Sequence, residues 1–123
     1  MRGYIAYNLT DRSRNEVITK FYPKFTKVVA HHITVAFNVS DTEPMPSVPT
    51  SAKVVGYACN EIIECLVVEI NGNRHRADGK LFHVTLSHSH EAKPVMSNDL
   101  LQAQGYTECE PFNIEVIPTF NSF

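Results

Sequence analysis

Two short histidine–threonine motifs carry the residues best suited to chemistry in this sequence: His32-Ile33-Thr34-Val35 and His83-Val84-Thr85-Leu86. Hydrolysis of a phosphodiester needs one group that takes a proton from the attacking oxygen and another that gives a proton to the leaving oxygen. Histidine can perform either task near neutral pH, because its unperturbed pKa is about 6.5. A threonine hydroxyl can donate a hydrogen bond to a nonbridging phosphate oxygen. Together the motifs supply the groups that an acid–base site for a phosphodiester requires.

The segments that surround the motifs, residues 30–39 and 80–87, are rich in β-forming side chains and are predicted to be strands. Because side chains alternate between the two faces of a strand, the histidine and the threonine of each motif share one face. The opposite face of each strand is apolar and is expected to pack into a core. The residues predicted on these apolar faces are Ile33, Val35 and Phe37 in the first strand, and Val84 and Leu86 in the second.

In this pattern the sequence resembles the two-histidine (2H) phosphoesterases, a superfamily defined by two His-x-Thr/Ser motifs. Its members include RNA 2′,3′-cyclic phosphodiesterases and phage enzymes that degrade cyclic-nucleotide signals. The resemblance covers the layout of the whole chain, which is shorter than the larger members, and its specific part is the two motifs. It implies a bilobal α+β fold, with antiparallel sheets, a helix on each half and a central groove. It also implies that His32 and His83 are the catalytic pair and that Thr34 and Thr85 bind the substrate phosphate.

The activity implied by the resemblance is that of a metal-independent phosphodiesterase, without a cofactor, that hydrolyses the 2′,3′-cyclic phosphate of RNA ends or nucleotides. One histidine would deprotonate water and the other would protonate the leaving ribose oxygen, and the similarity of the two strands leaves the assignment open. In one alternative, the same pair hydrolyses a cyclic di- or oligonucleotide. In another, the motifs hold a phosphate or nucleotide without turnover, although a phosphate-binding module would more naturally use arginine, lysine or backbone amides.

Four further residues are candidates for substrate contacts. Tyr4 and Tyr7 point to opposite faces of their predicted strand, so only one of them can reach a site on a given face. Tyr7 is the candidate, either to stack on a base or to donate to a phosphate, and its alternative role is packing at the edge of the core. Arg74 and Arg76 belong to the most basic local run of the chain, just before the second motif, and either could attract a phosphate. His88 follows the second motif and is the fourth candidate.

The remaining histidines raise the question of a metal site. His75, His88 and His90 lie near His83 in the sequence, and imidazole is a ligand for zinc, copper or nickel. His88 and His90 are expected to run off the strand into a loop, whereas a catalytic metal needs fixed ligands and often a carboxylate. The sequence therefore favours a site without metal. His31, next to the first motif, is predicted by alternation to lie on the apolar side of its strand as a structural or edge residue.

Composition limits the partners and the compartment. The 123 residues are expected to form a single domain, 1–123, with a modest core. A net charge of −2 argues against a broad surface for duplex nucleic acid and favours a small or end-bound substrate. The odd number of cysteines, three, argues against a complete disulfide framework. With no signal peptide and no apolar run of membrane-spanning length, the expectation is a cytoplasmic protein without a membrane partner, whose oligomeric state is open.

Hydrophobic periodicity and turn residues predict six strands and two helices. Residues 13–16 resemble a capping box for the first helix, and Ser97 is the expected N-cap of the second, with Leu100 and Leu101 turned inward. The predicted elements are a strand over 3–9, a helix over 11–22, a strand over 30–39, a proline-rich loop over 40–51, a hairpin of strands over 52–59 and 62–70, a turn over 71–73, a strand over 80–87, a helix over 94–104 and a strand over 112–120.

Overall fold

Two antiparallel sheets and two helices make up the α+β structure, a computed structural model that describes residues 1–123. The three-stranded sheet has the order β3-β1-β8, and the five-stranded sheet has the order β2-β6-β5-β4-β7. The elements are β1 (Arg2–Leu9), α1 (Asp11–Phe21), β2 (Lys27–Val28), β3 (His32–Ser40), β4 (Ala52–Cys59), β5 (Ile63–Ile70), β6 (His83–His88), α2 (Met96–Gln104), β7 (Thr107–Asn113) and β8 (Val116–Ser122). The α+β class and the antiparallel pairing agree with the prediction.

Helix α1 starts and ends at residues that satisfy its terminal backbone groups. The Thr10 hydroxyl accepts a hydrogen bond from the backbone N–H of Ser13 at 3.2 Å, so Thr10 is the N-cap. Tyr22 takes a left-handed conformation, with φ of 50°, and ends the helix before Pro23. The capping box expected at Ser13 is therefore wrong, because Ser13 is buried within the first turn and its hydroxyl accepts from the N–H of Glu115 at 2.6 Å.

The larger apolar cluster includes residues from both sheets and from α1. Ile33 of β3 and Val84 and Leu86 of β6 are buried in it, as the alternation predicts. Val17 of α1 adds a fully buried side chain to the same cluster. Burial of these side chains, at about 1.5–3 kcal/mol each, fixes the apolar faces of the two motif strands inward. The polar faces of β3 and β6 are thereby turned away from this core.

Helix α2 packs on the other face of the five-stranded sheet, where Leu100 and Leu101 join a second apolar cluster with Val67. The inward orientation of the two leucines is confirmed. The expected N-cap is wrong: Val95 holds the N-cap position without a side-chain hydrogen bond, and Ser97 is fully buried. Neither helix is long and apolar enough to cross a membrane.

The chain changes sheets immediately before the first motif. β2 pairs with the end of β6, and the backbone N–H groups of Val29 and Ala30 continue this pairing by donating to Leu86 and Thr85, each at 2.9 Å. Ala30 has φ of 44°, a conformation that breaks the strand, and β3 then pairs with β1. The single strand predicted over 30–39 therefore begins two residues late, and this change of sheet places the start of β3 beside β6.

The predicted C-terminal strand is likewise two strands in different sheets. β7 pairs with β4 at the edge of the larger sheet, and β8 pairs with β1 in the smaller one. Ile114, between them, is buried and its backbone N–H donates to Ala52 at 2.9 Å. The β7 sequence is mostly polar and exposed, as is common at a sheet edge, so apolar alternation could not reveal it. The hairpin of β4 and β5 was predicted within one residue.

Candidate active site

A cleft of about 440 Å³ opens where the two motif strands meet the N-terminal end of α2. Four predicted site residues line it: His32, Thr34, Arg76 and His83. The two histidines lie far apart in the sequence. The folding of the chain therefore brings both imidazoles and one threonine of the motifs to a single cavity, whose volume is in the usual range for a small-molecule site.

His83 is held in one orientation by its own strand. The residue is 9% exposed, and its Nδ1 lies 3.0 Å from the backbone oxygen of Leu81. Because a carbonyl oxygen can only accept, Nδ1 carries the proton and donates it to this bond. Nε2 is then the nitrogen left for a substrate, either as a lone pair or as an N–H in the charged ring.

His32 is held by a neighbouring histidine instead of a carbonyl. Nδ1 of His31 lies 2.9 Å from Nδ1 of His32, so one ring donates to the other and the two cannot both be fully protonated. The prediction that His31 lies on the apolar side with Ile33 is wrong. The left-handed Ala30 breaks the alternation before β3 begins, and His31 is exposed.

Burial and neighbouring charges favour the neutral form of both imidazoles. Burial lowers the pKa of His32 to about 4, with smaller contributions from the charges of His31 and His83. Burial also lowers the pKa of His83, opposed by the hydrogen bond to the Leu81 carbonyl and assisted by the charges of Arg76 and Lys80. A bound anion would raise both pKa values, because it compensates the positive charge of the protonated rings.

The two motif threonines have different environments. Thr34 is half-buried, lines the cleft, and makes no side-chain hydrogen bond within the protein. Thr85 is 6% exposed, and its hydroxyl donates to the backbone oxygen of Pro94 at 3.1 Å and lies 2.8 Å from Oγ of Ser97. The expectation that both threonines bind phosphate is therefore corrected for Thr85, because α2 and the segment before it cover this hydroxyl.

Three charged side chains from the segment before β6 line the cleft. The Arg76 side chain is buried, and its Nε donates to the carboxylate of Asp78 at 2.9 and 3.1 Å, which lowers the pKa of that carboxyl. Nη1 of Arg76 reaches the Thr34 backbone oxygen at 3.5 Å, and Nη2 has no hydrogen-bond partner within the protein. Lys80 adds a second cation. The guanidinium is therefore oriented by Asp78 and has donors left for an anion.

The other three candidate contacts lie away from the cleft. Arg74 donates from Nη1 to Glu108 at 2.7 Å and from Nε to Glu69 at 3.1 Å, so two carboxylates bind it elsewhere. Tyr7 is 7% exposed and belongs to the larger apolar cluster. His88 is the last residue of β6, roughly 16 Å along the strand from His83. It is buried in that strand, and the expectation that it lies in a loop is wrong.

Sequence reasoning missed six residues that line the cleft: Tyr4, Phe37, Asp78, Lys80, Val95 and Asn98. Tyr4 was detectable, because Ile5, Tyr7 and Leu9 form the apolar side of β1 and leave Tyr4 on the other side. Val95 and Asn98 had no signal in the sequence, since they reach the cleft only through the packing of α2.

Phe37 lies on the cleft side because of a β-bulge. Ala6 pairs with Thr34 and Ile5 pairs with Ala36, so Val35 is an extra residue in β3. An extra residue shifts the alternation by one position, and Phe37 then faces the same side as Thr34. The prediction that Phe37 shares the apolar face of Ile33 is therefore wrong.

The histidines considered as metal ligands are not brought together. No group of three or more His, Cys, Asp or Glu side chains in residues 1–123 is arranged to hold a metal ion. Comparison with protein-family models, curated proteins and solved structures gives no match for this chain.

Proposed function

We propose that this protein is a phosphodiesterase of the two-histidine type, with the corresponding bilobal fold, that hydrolyses the 2′,3′-cyclic phosphate of RNA ends or nucleotides. The observation that carries the proposal is the convergence of His32 and His83, from different sheets, on one cleft that also contains Thr34 and Arg76. This set provides two proton-transfer groups, a hydroxyl and a guanidinium, which match the attacking, leaving and nonbridging oxygens of a phosphodiester.

The environments of the two histidines support an assignment of their roles. His32, with a pKa of about 4, is neutral near pH 7 and takes the proton of the attacking water as general base. The Leu81 carbonyl favours the charged form of His83, which gives its Nε2 proton to the leaving ribose oxygen. The P–O bond to that oxygen breaks as the bond to the water oxygen forms, and the product is a phosphomonoester. Thr34 and Arg76 donate to the nonbridging oxygens.

The lowered pKa of His83 requires that the substrate itself helps to protonate this residue. A phosphodiester carries one negative charge, and its approach to a buried imidazole stabilises the charged ring. Arg76 and Lys80 attract the same anion. Binding of the substrate and uptake of a proton by His83 are therefore coupled, and the acid is charged when the reaction begins.

The test is hydrolysis of 2′,3′-cyclic nucleotides and of cyclic dinucleotides, with EDTA present, by the wild type and by single variants. His32→Ala and His83→Ala are each expected to lower kcat by about 10²–10⁴-fold, the usual contribution of general acid–base catalysis. The matched control is His90→Ala, because His90 is an exposed histidine outside the cleft. Its activity should equal that of the wild type.

The choice of substrates separates the alternatives. Turnover of cyclic dinucleotides alone would move the assignment to degradation of cyclic-nucleotide signals. Binding of nucleotides without turnover of any substrate would indicate a nucleotide-binding module. Activity that survives both histidine substitutions, or that requires an added metal ion, would contradict the proposed mechanism.

A further inference from the structure

Three aromatic rings lie together next to the catalytic histidines. Tyr4, Phe37 and Phe123, which we call the aromatic shelf, contact each other with ring centroids 5.3–6.3 Å apart. Phe37 is 63% exposed and Phe123 is 67% exposed, although both are large apolar side chains. The apolar clusters of the protein include none of the three rings. The shelf is therefore a solvent-facing aromatic surface.

An irregularity in β3 creates this surface. The bulge at Val35 turns Phe37 to the cleft side and places it directly opposite Tyr4 in the ladder, and a second extra residue, Asn38 with φ of 57°, follows Phe37. The rings of Tyr4 and Phe37 are nearly parallel, with an interplanar angle of 25°. The Phe123 backbone N–H donates to Arg2 at 3.2 Å and holds the third ring beside them.

The shelf is continuous with the reaction centre. The centroid of the Tyr4 ring lies 5.1 Å from that of His32, and Phe37 lines the same cleft as Arg76 and Lys80. The lining of the cleft thus combines aromatic rings with two imidazoles and the cations of Arg76 and Lys80, of which Arg76 is paired with Asp78. A ligand that fits this lining has an anionic group joined to an aromatic group. A nucleotide has this form, with the ribose as the spacer.

We infer that the aromatic shelf is a subsite for the nucleobase of the substrate, on which the base stacks while the phosphate lies between His32 and His83. This inference rests on the proposed function for the location of the phosphate. The rings of Phe37 and Phe123 have no hydrogen-bonding groups to read the edge of a base. Stacking on these two rings tolerates every base and favours the larger purine surface.

A docked protein is a poorer occupant for this surface. Each partner in a stable protein complex buries about 800 Å², far more than three side chains present. The shelf is also bordered by the cations of the cleft, which would have to be matched by a partner acid. A nucleotide satisfies both the rings and the cations with one small molecule.

The inference is tested by NMR titration with adenosine 3′-monophosphate and, separately, with inorganic phosphate. Both ligands are expected to shift the ring signals of His32 and His83. Only the nucleotide should produce ring-current shifts at Phe37 and Phe123. Phe37→Leu is expected to weaken the binding of adenosine 3′-monophosphate about 10-fold and to change the Kd of inorganic phosphate less than twofold. Val48→Ala, at a loop residue that is 67% exposed, is the matched control and should change neither Kd.

The outcomes distinguish this inference from the proposed function. Nucleotide shifts at Phe37 without turnover of any phosphodiester would support the base subsite and contradict the catalytic proposal. Turnover of cyclic nucleotides without shifts at the shelf would support the catalytic proposal and contradict the base subsite. Equal weakening of nucleotide and phosphate binding by Phe37→Leu would show that the ring only supports the cleft, and the inference would be wrong.

Discussion

Replacement of His32 by asparagine should reduce the acid sensitivity of the protein. The folded state holds the pKa of His32 at about 4, whereas the unfolded chain has the ordinary value of 6.5. Between these values the unfolded state binds more protons than the folded state, so the free energy of unfolding falls as the pH falls. This loss of stability from His32 is absent above pH 6.5 and is complete near pH 4.

The size of the effect follows from the shift. Between about pH 7 and about pH 4.5, a histidine with these two pKa values reduces the free energy of unfolding by about 2.5 kcal/mol. Because His32 is only partly buried, solvent screening lowers the expected value to about 1.5 kcal/mol. His32→Asn removes the titrating group. Over the same pH interval, the free energy of unfolding of the variant should therefore fall by about 1.5 kcal/mol less than that of the wild type.

The assay is urea denaturation of the wild type and the variant at both pH values. Thr34→Val is the control, since Thr34 lies on the same face of β3 but has no group that titrates. It should show the full acid sensitivity of the wild type. An equal loss of stability in wild type and His32→Asn would refute the assignment of a depressed pKa to His32, and with it the argument that this residue is the base.

Four further substitutions test single side chains of the cleft and of the fold. Thr34→Val should lower kcat/KM about 100-fold with little change in stability. Thr85→Val should lower the free energy of unfolding by about 1–3 kcal/mol, because it breaks the hydrogen bonds to Pro94 and Ser97. Activity assays and urea titrations of both variants check these two predictions. Glu64→Ala should lower the free energy of unfolding, measured by urea denaturation, by about 2–4 kcal/mol. The reason is that the buried carboxylate accepts hydrogen bonds from the Tyr57 hydroxyl, the Ser87 hydroxyl and the Lys24 backbone N–H. Unchanged stability would contradict this prediction. Gly56→Ala should cost about 1–3 kcal/mol in thermal or urea unfolding, since its Cβ would collide with the Tyr106 ring, and wild-type stability would show that the ring moves freely.

Much of the local structure was predictable because the signals are local. The alternation of apolar residues places β4 and β5 almost to the residue, and Asn71 and Gly72 adopt the positive φ values expected of their turn. The failures occur where the chain leaves the regular pattern. The left-handed Ala30 and the bulge at Val35 each shift the alternation of side chains between the two faces of the strand by one residue. The residue types at these positions do not indicate the shift. His31 and Phe37 were therefore assigned to the wrong faces.

The sequence by itself determined which chemical groups are present: two histidines, each followed two residues later by a threonine. It also determined that the apolar faces of their strands must be buried. Side-chain alternation and burial are properties of a strand and its neighbours in the chain, so they can be read along the sequence. Only the tertiary structure decided which groups share the cleft. Pairing of residues 27–30 with β6 brings His32 to His83. Helix α2 and the segment before it cover the Thr85 hydroxyl. Arg76 lines the cleft, whereas two carboxylates bind Arg74 outside it. These choices depend on contacts between residues far apart in the chain, which no local pattern specifies.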